Sequence, residues 1–185
     1  MGKIILVTGG ARSGKSHFAQ QLALESKEPV LFVATAEAGD DEMRRRIEEH
    51  RRQRPPTWRT LETPTQVAGQ IPGAAAGART VIVDCITLLV SNILLKHGEG
   101  SDTARATEAV MTEMGELARY MDRTRACFII VTNEVGLGLV PASGMGRLYR
   151  DLLGKANQVL AQRADEVYLM VCGIPMLLKP ARPSR

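Results

Sequence analysis

Eight residues near the start, Gly9-Gly10-Ala11-Arg12-Ser13-Gly14-Lys15-Ser16, restrict what this chain can fold into more than any other feature. They satisfy G-x-x-x-x-G-K-[ST] and follow a short apolar, β-branched run from Lys3 to Thr8. Helical spacing begins at Lys15, with Phe18, Ala19, Leu22 and Ala23 on one face. Glycines in such a turn let successive backbone N–H groups face one point and form a nest for phosphate oxygens. The positive dipole end of the following helix is aimed at the same place. Lys15 is therefore expected to reach the outer phosphates of a nucleoside triphosphate, and the Ser16 hydroxyl to ligate Mg²⁺.

Apolar runs alternate with helical stretches along the rest of the chain, which predicts a parallel sheet covered by helices. Further strands are expected at Val30 to Thr35, Thr80 to Asp84 and Cys127 to Thr132. Helices are expected from Asp40-Asp41 to about Gln53, at Ile86 to Lys96, at Thr103 to about Thr124 and at Arg147 to Arg163. In the third of these, Val110, Met114, Leu117 and Met121 form the apolar face. Glu166 to Val171 and Met176 to Lys179 flank Cys172-Gly173-Ile174-Pro175 and predict a closing antiparallel hairpin. Pro72 to Ala78, the polar stretch 98–102 and the Gly-rich stretch 135–146 are expected to be loops. The expected fold is thus α/β: a P-loop NTPase with a RecA-like, mostly parallel sheet flanked by helices and a C-terminal hairpin. With 185 residues the chain fits one such domain, spanning 1–185.

A hydrophobic fraction of 44% with 24% charged residues is that of a soluble globular protein. No run approaches the about 18 apolar residues of a membrane span, so no membrane insertion is expected and a cytoplasmic enzyme is. Cys85, Cys127 and Cys172 are widely spaced in or beside apolar runs, which predicts small buried hydrophobes in a reducing compartment. The net charge of +4 favours anionic partners, nucleic acid among them. A RecA-like nucleic-acid binder would want a stacking surface, yet aromatics are 4% of the chain, so no nucleic-acid partner is expected.

Val81-Ile82-Val83-Asp84 is an apolar strand ending in a carboxylate, where a P-loop fold places the acid that orients magnesium; Asp84 could equally cap the next helix. In the charged stretch after Asp40, Met43, Ile47, His50 and Arg54 recur at helical spacing. His50 is thereby turned inward while most of the arginines and glutamates face water. A lone inward histidine is more often structural, but this one has Arg51 and Arg54 beside it, and a neutral imidazole can attack phosphorus.

Together these blocks resemble the bifunctional adenosylcobinamide kinase / adenosylcobinamide-phosphate guanylyltransferase family of cobalamin synthesis. The matching pieces run in order from Thr8 to Ser16, through Asp41-Glu42-Met43 and Arg46-Ile47-x-x-His50, to Arg54-Pro55-x-x-Trp58-Arg59-Thr60-x-Glu62. They continue with Asp84-Cys85-x-Thr87-Leu88 and Asn92, Thr132-Asn133-Glu134-Val135-Gly136 and Arg147-x-x-Arg150-Asp151. The resemblance implies two reactions: ATP or GTP phosphorylates adenosylcobinamide, and GMP from GTP is joined to adenosylcobinamide phosphate through a guanylyl-histidine. It implies His50 as nucleophile and Lys15 as the second catalytic residue. It extends nucleotide contacts over Gly9, Gly10, Ala11, Arg12, Ser13, Gly14, Lys15 and Ser16, and to Ala34, Thr35 and Ala36. Arg51, Arg52, Gln53, Arg54, Glu62 and Asp84 complete the set, with Ser16 and Asp84 on Mg²⁺. A homotrimer with sites between subunits is implied as well. No Asn-Lys-x-Asp guanine-reading motif is present, so the GTP preference comes from the resemblance. Asn92, Asn133 and Glu134 are candidates for the corrinoid pocket. The rival reading is a P-loop kinase without guanylyl transfer.

Overall fold

The computed structural model describes residues 2–97 and 103–181. The stretch 98–102, expected as a polar turn, lies outside the described residues. Seven strands form one sheet: β1 (Ile4–Gly9), β2 (Val30–Ala34), β3 (Arg59–Glu62), β4 (Thr80–Asp84), β5 (Cys127–Val131), β6 (Glu166–Val171) and β7 (Ile174–Lys179). Their order is β3-β2-β4-β5-β1-β6-β7, and every neighbouring pair is parallel except β6 and β7. β5 thus separates the strand that leads into the glycine loop from the strand that ends in Asp84, the RecA-like arrangement expected. The helices are α1 (Lys15–Glu25), α2 (Asp41–Arg52), α3 (Val67–Ala74), α4 (Ile86–His97), α5 (Thr103–Arg123) and α6 (Gly144–Arg163).

Both faces of the sheet are covered, and strand residues divide between them by their two-residue period. Ile4, Leu6, Val81, Val83, Phe128 and Ile130 pack under α3, α4, α5 and α6. Ile5, Val7, Phe32, Ala34, Ile82, Ile129 and Val131 face α1, where Ala19 and Ala23 are buried. The apolar face expected of α5 is wholly inside, with Val110, Met114, Leu117 and Met121 buried. α2 differs from all the others in burying no residue completely. Only Met43, Ile47, His50 and, just beyond the helix, Arg54 are half-buried, which is the stripe read from the spacing. Asp40 caps its start, Oδ1 accepting from the Met43 N–H at 2.7 Å.

Several elements differ from expectation. β3 has no apolar alternation to announce it; as an edge strand it is held by backbone pairing with β2. α3 extends through Pro72 to Ala74, inside a stretch expected to be loop. Its start is capped from a distance: the Glu113 carboxylate on α5 accepts from the Val67 and Gln66 N–H groups at 2.7 and 3.1 Å. α6 begins at Gly144, three residues early, because Ser143 Oγ accepts from the Gly146 N–H. β7 begins at Ile174, since Cys172 and Gly173 alone make the turn with φ of 51° and 81°. Cys172 is exposed there, and Cys85 and Cys127 are only half-buried, so the expectation of buried cysteines fails for the first.

Glu113 is 7% exposed, and its loss would strand two N–H donors in the interior. Glu113→Ala should lower unfolding stability by about 1–3 kcal/mol in a denaturant titration. An unchanged midpoint would show that the distant cap contributes nothing.

Candidate active site

The glycine loop owes its shape to close approaches. Gly9 has φ of 147°, and a Cβ there would lie 2.5 Å from the Met170 carbonyl oxygen. Gly14, at φ of 93°, would place a Cβ 3.2 Å from Gly173 Cα. The β6–β7 turn docks on the loop, with the Gly173 N–H donating to Ser13 O at 3.0 Å. On the other side the Glu134 N–H donates to Gly9 O, also at 3.0 Å. Neither clamp is visible in the loop's own residues. Lys15 is buried beneath the loop, its Nζ donating to Gly10 O at 2.5 Å and lying 3.5 Å from Ser13 Oγ. Burial lowers its pKa; the Cys85 thiol and Asp84 carboxyl oppose that shift and Arg46 adds to it. Gly10, Ala11 and Arg12 are exposed at the rim, open to a ligand.

Register brings the remaining site residues to the same edge. Glu62 on β3 lies beside Ala34 on β2, which lies beside Asp84 on β4. Asp84 shares its face with Ile82 two residues earlier, and so points to the α1 side rather than the α4 side. Ser16, one residue into α1, lies near enough to favour the ionised form of Asp84, as do His50, Arg54 and Lys15. Burial raises the Asp84 pKa, while Ser16, His50, Arg54 and Lys15 pull the other way. Thus Lys15, Ser16, His50 and Arg54 share the electrostatic surroundings of one carboxylate.

Arg51 forms an ion pair with Glu62. Arg52 pairs with Glu48 at 3.5 Å on the outer side of α2, and Gln53 is the exposed C-cap, so neither faces Asp84. Thr35 is a buried strut: its hydroxyl donates to Cys85 O at 2.7 Å and accepts from the Cys85 N–H at 2.8 Å. Its backbone is engaged as well, the N–H donating to Asp84 O at 3.1 Å. Ala34 is buried in β2, and Ala36 is half-buried just beyond it.

The three corrinoid candidates have structural partners. Asn92 Nδ2 donates to Thr35 O and Pro64 O at 2.8 and 3.0 Å. The Asn133 backbone is held by Thr87 Oγ1 and Asn157 Nδ2, and Glu134 Oε1 accepts from the Gly136 N–H. Thr87, quoted above without a role, and Asn157 on α6 are therefore supports for the segment after β5. Cys85 is pushed up to about 11 by burial first and the Asp84 charge second, so its thiol stays protonated at neutral pH.

The donor set fits a hard divalent cation. Ser16 and Asp84 offer adjacent oxygens, and among the described residues no three His, Cys, Asp or Glu side chains cluster to make an all-protein cage. Mg²⁺ is commonly held in this way, by one or two protein oxygens together with substrate phosphates.

Residues 5–178 match the family model described as cobinamide kinase / cobinamide phosphate guanyltransferase. The chain belongs to this family. Among its curated relatives is the bifunctional adenosylcobalamin biosynthesis protein CobP of Pseudomonas aeruginosa, 45% identical over 94% of this chain and 96% of that one. The corresponding CobU of Escherichia coli is 41% identical over 95% of this chain and 99% of its own. A solved structure from Pyrococcus horikoshii, titled as a structural study of PH0250, shares the fold at a TM-score of 0.57. It is 11% identical and covers 97% of this chain and 87% of that one. The chain is accordingly an enzyme of the cobinamide kinase / guanyltransferase type. No described helix is long and apolar enough to cross a membrane.

Asp84 holds its proton more tightly folded than unfolded, so its ionisation costs stability as pH rises past the ordinary carboxylate range. Asp84→Asn removes that cost. In chelator at pH 7 the variant should melt at or above the wild-type temperature while losing activity. The gap should close towards about pH 4, where the unfolded carboxyl takes up its proton. A variant that melted well below wild type at pH 7 would contradict this account of Asp84.

Proposed function

We propose that the chain phosphorylates the aminopropanol hydroxyl of adenosylcobinamide with ATP or GTP, then joins GMP from GTP to that phosphate through a guanylyl-histidine at His50. The observation that carries the proposal is the shared surroundings of Asp84: the cradle's Ser16 and Lys15 and the imidazole of His50 act on one carboxylate. A histidine whose charge would be felt at the carboxylate beside the P-loop supports a role for it there, which a kinase alone does not require. Family membership supports the pair of reactions. Both take place within one unit spanning 1–185.

In the kinase step, the loop N–H groups and Lys15 neutralise and align the outer phosphates while the substrate hydroxyl attacks the γ-phosphorus. In the second step, the neutral His50 ring forms a P–N bond to the α-phosphorus of GTP. The bond from that phosphorus to the bridging oxygen breaks, and pyrophosphate leaves with its charge met by Lys15 and Arg54. An oxygen of cobinamide phosphate then displaces the imidazole, so a P–O bond replaces the P–N bond and the ring is freed. Ser16 and Asp84 would hold Mg²⁺, whose chemistry is to neutralise phosphate charge. Gly9 to Ser16, Ala36, Arg51 and Glu62 supply the remaining nucleotide contacts, while Arg52 and Gln53 are turned outward and the backbone of Ala34 and Thr35 is engaged within the fold. Small molecules, not nucleic acid, are the partners, and the working form is a cytoplasmic homotrimer, as the family resemblance implies.

Incubation with α-labelled GTP followed by denaturation tests the histidine step. Wild type should retain an acid-labile label; His50→Ala should lose it by at least about a hundredfold and keep cobinamide phosphorylation within about tenfold. Label retained in the variant would refute the assignment. Lys15→Ala should lower both activities by about a hundredfold or more, and unchanged kinase turnover would remove Lys15 from the mechanism.

A further inference from the structure

Arg54 is held in an unusual way for a buried cation. Its Nε and Nη1 are inaccessible to solvent and have no hydrogen-bond partner among the described residues. Leaving a buried donor unpaired costs on the order of 1–3 kcal/mol, so such groups require an explanation. What holds the side chain is an aromatic ring: Arg54 Cζ lies 3.9 Å from the centroid of Phe32. Trp58 stacks on the same ring, centroids 6.4 Å apart and planes 21° apart. Phe32 belongs to β2 and is buried among the residues under α1, two positions before Ala34. The Trp58 backbone is held in turn by its amide N–H donating to Pro55 O at 3.0 Å. Asp84 and Glu62 are the anions that favour the Arg54 charge, against burial, which is the larger effect and lowers its pKa.

Stacking holds a guanidinium by its π face and leaves its in-plane donors unused. A hydrogen-bonded anchor would consume those same donors. With a triphosphate in the cradle, as proposed above, we propose that Phe32 and Trp58 form an aromatic shelf that positions Arg54, turning its charge to the phosphates with no protein acceptor competing for Nε and Nη1. Phe32 and Trp58 touch no substrate and act through Arg54; they are positioning residues. The shelf also explains how a helix with no buried residue keeps its C-terminal end beside Asp84, since the chain leaves α2 directly through Arg54. Trp58 is the single tryptophan in the chain, placed where its large ring widens the shelf.

A binding cycle tests this. Full-length protein is titrated calorimetrically with a GTP analogue carrying a methylene bridge between the α- and β-phosphorus, which cannot be guanylylated onto histidine. Phe32→Leu keeps an apolar side chain but removes the ring face, and should weaken Kd about tenfold. Trp58→Ala should weaken it by a smaller factor, and Trp58→Phe should restore it to within about twofold of wild type. In an Arg54→Met background, Phe32→Leu should have no further effect, because the group it positions is gone. The melting temperature of every variant is measured alongside; if Phe32→Leu fails to fold, the Trp58→Ala cycle with Arg54→Met replaces it with the same expected outcome. Undiminished Kd in folded Phe32→Leu, or an equal loss with and without Arg54, would overturn the shelf while leaving the nucleotide reading intact. A wild type that does not bind the analogue would overturn the nucleotide reading and the shelf with it.

Discussion

A carboxylate placed inside the carboxyl edge of a parallel sheet resists ionisation unless cations and donors surround it, and Asp84 has both kinds of neighbour. Ser16 acts on it from the helix after the glycine loop, Lys15 from beneath that loop, and His50 and Arg54 from the end of α2. These residues come from three separate parts of the chain, which the sheet order brings to one edge. β1 delivers the loop, β4 delivers the acid, and β2 beside β4 launches the connection that carries α2. Removing the acid would free the sheet from a stability cost and leave the cradle and the histidine without a common point.

The two faces of the sheet have different tasks. Under α3 to α6 the packing is continuous and apolar, with buried polar groups such as Glu113 used to finish helix ends. On the α1 side the core is smaller, and its outer part gives way to Arg54, Trp58 and the half-buried stripe of α2. The site therefore stands on rigid strands but is completed by a lightly packed helix. That division suits a chemistry in which phosphates must be gripped firmly and a nucleophile presented from one side.

Much of this was legible in the residues. The glycine loop, the apolar run into Asp84 and the spacing of Met43, Ile47, His50 and Arg54 each state a local geometry, and each was found where expected. What sequence could not state were contacts that depend on residues far apart. Glu113 reaches α3 across 46 positions, so the helix around Pro72 had no local start signal. β3 is four residues of edge strand with little buried surface, recognisable only beside β2. Asn92 carries the same amide whether it meets a ligand or ties Thr35 to Pro64, and only the fold distinguishes the two uses. The stacking of Arg54 on Phe32 is hidden for the same reason, since 21 intervening positions say nothing of a shared ring face.

The account stands on His50 facing the α-phosphorus of a nucleotide held by the glycine loop. Mass-spectrometric mapping of the protein after incubation with GTP and Mg²⁺, digested under alkaline conditions that preserve phosphoramidates, tests that most directly. The GMP mass should appear on the peptide containing His50 and on no peptide containing His17 or His97. A GMP adduct on another residue, or none in protein that still phosphorylates cobinamide, would contradict it.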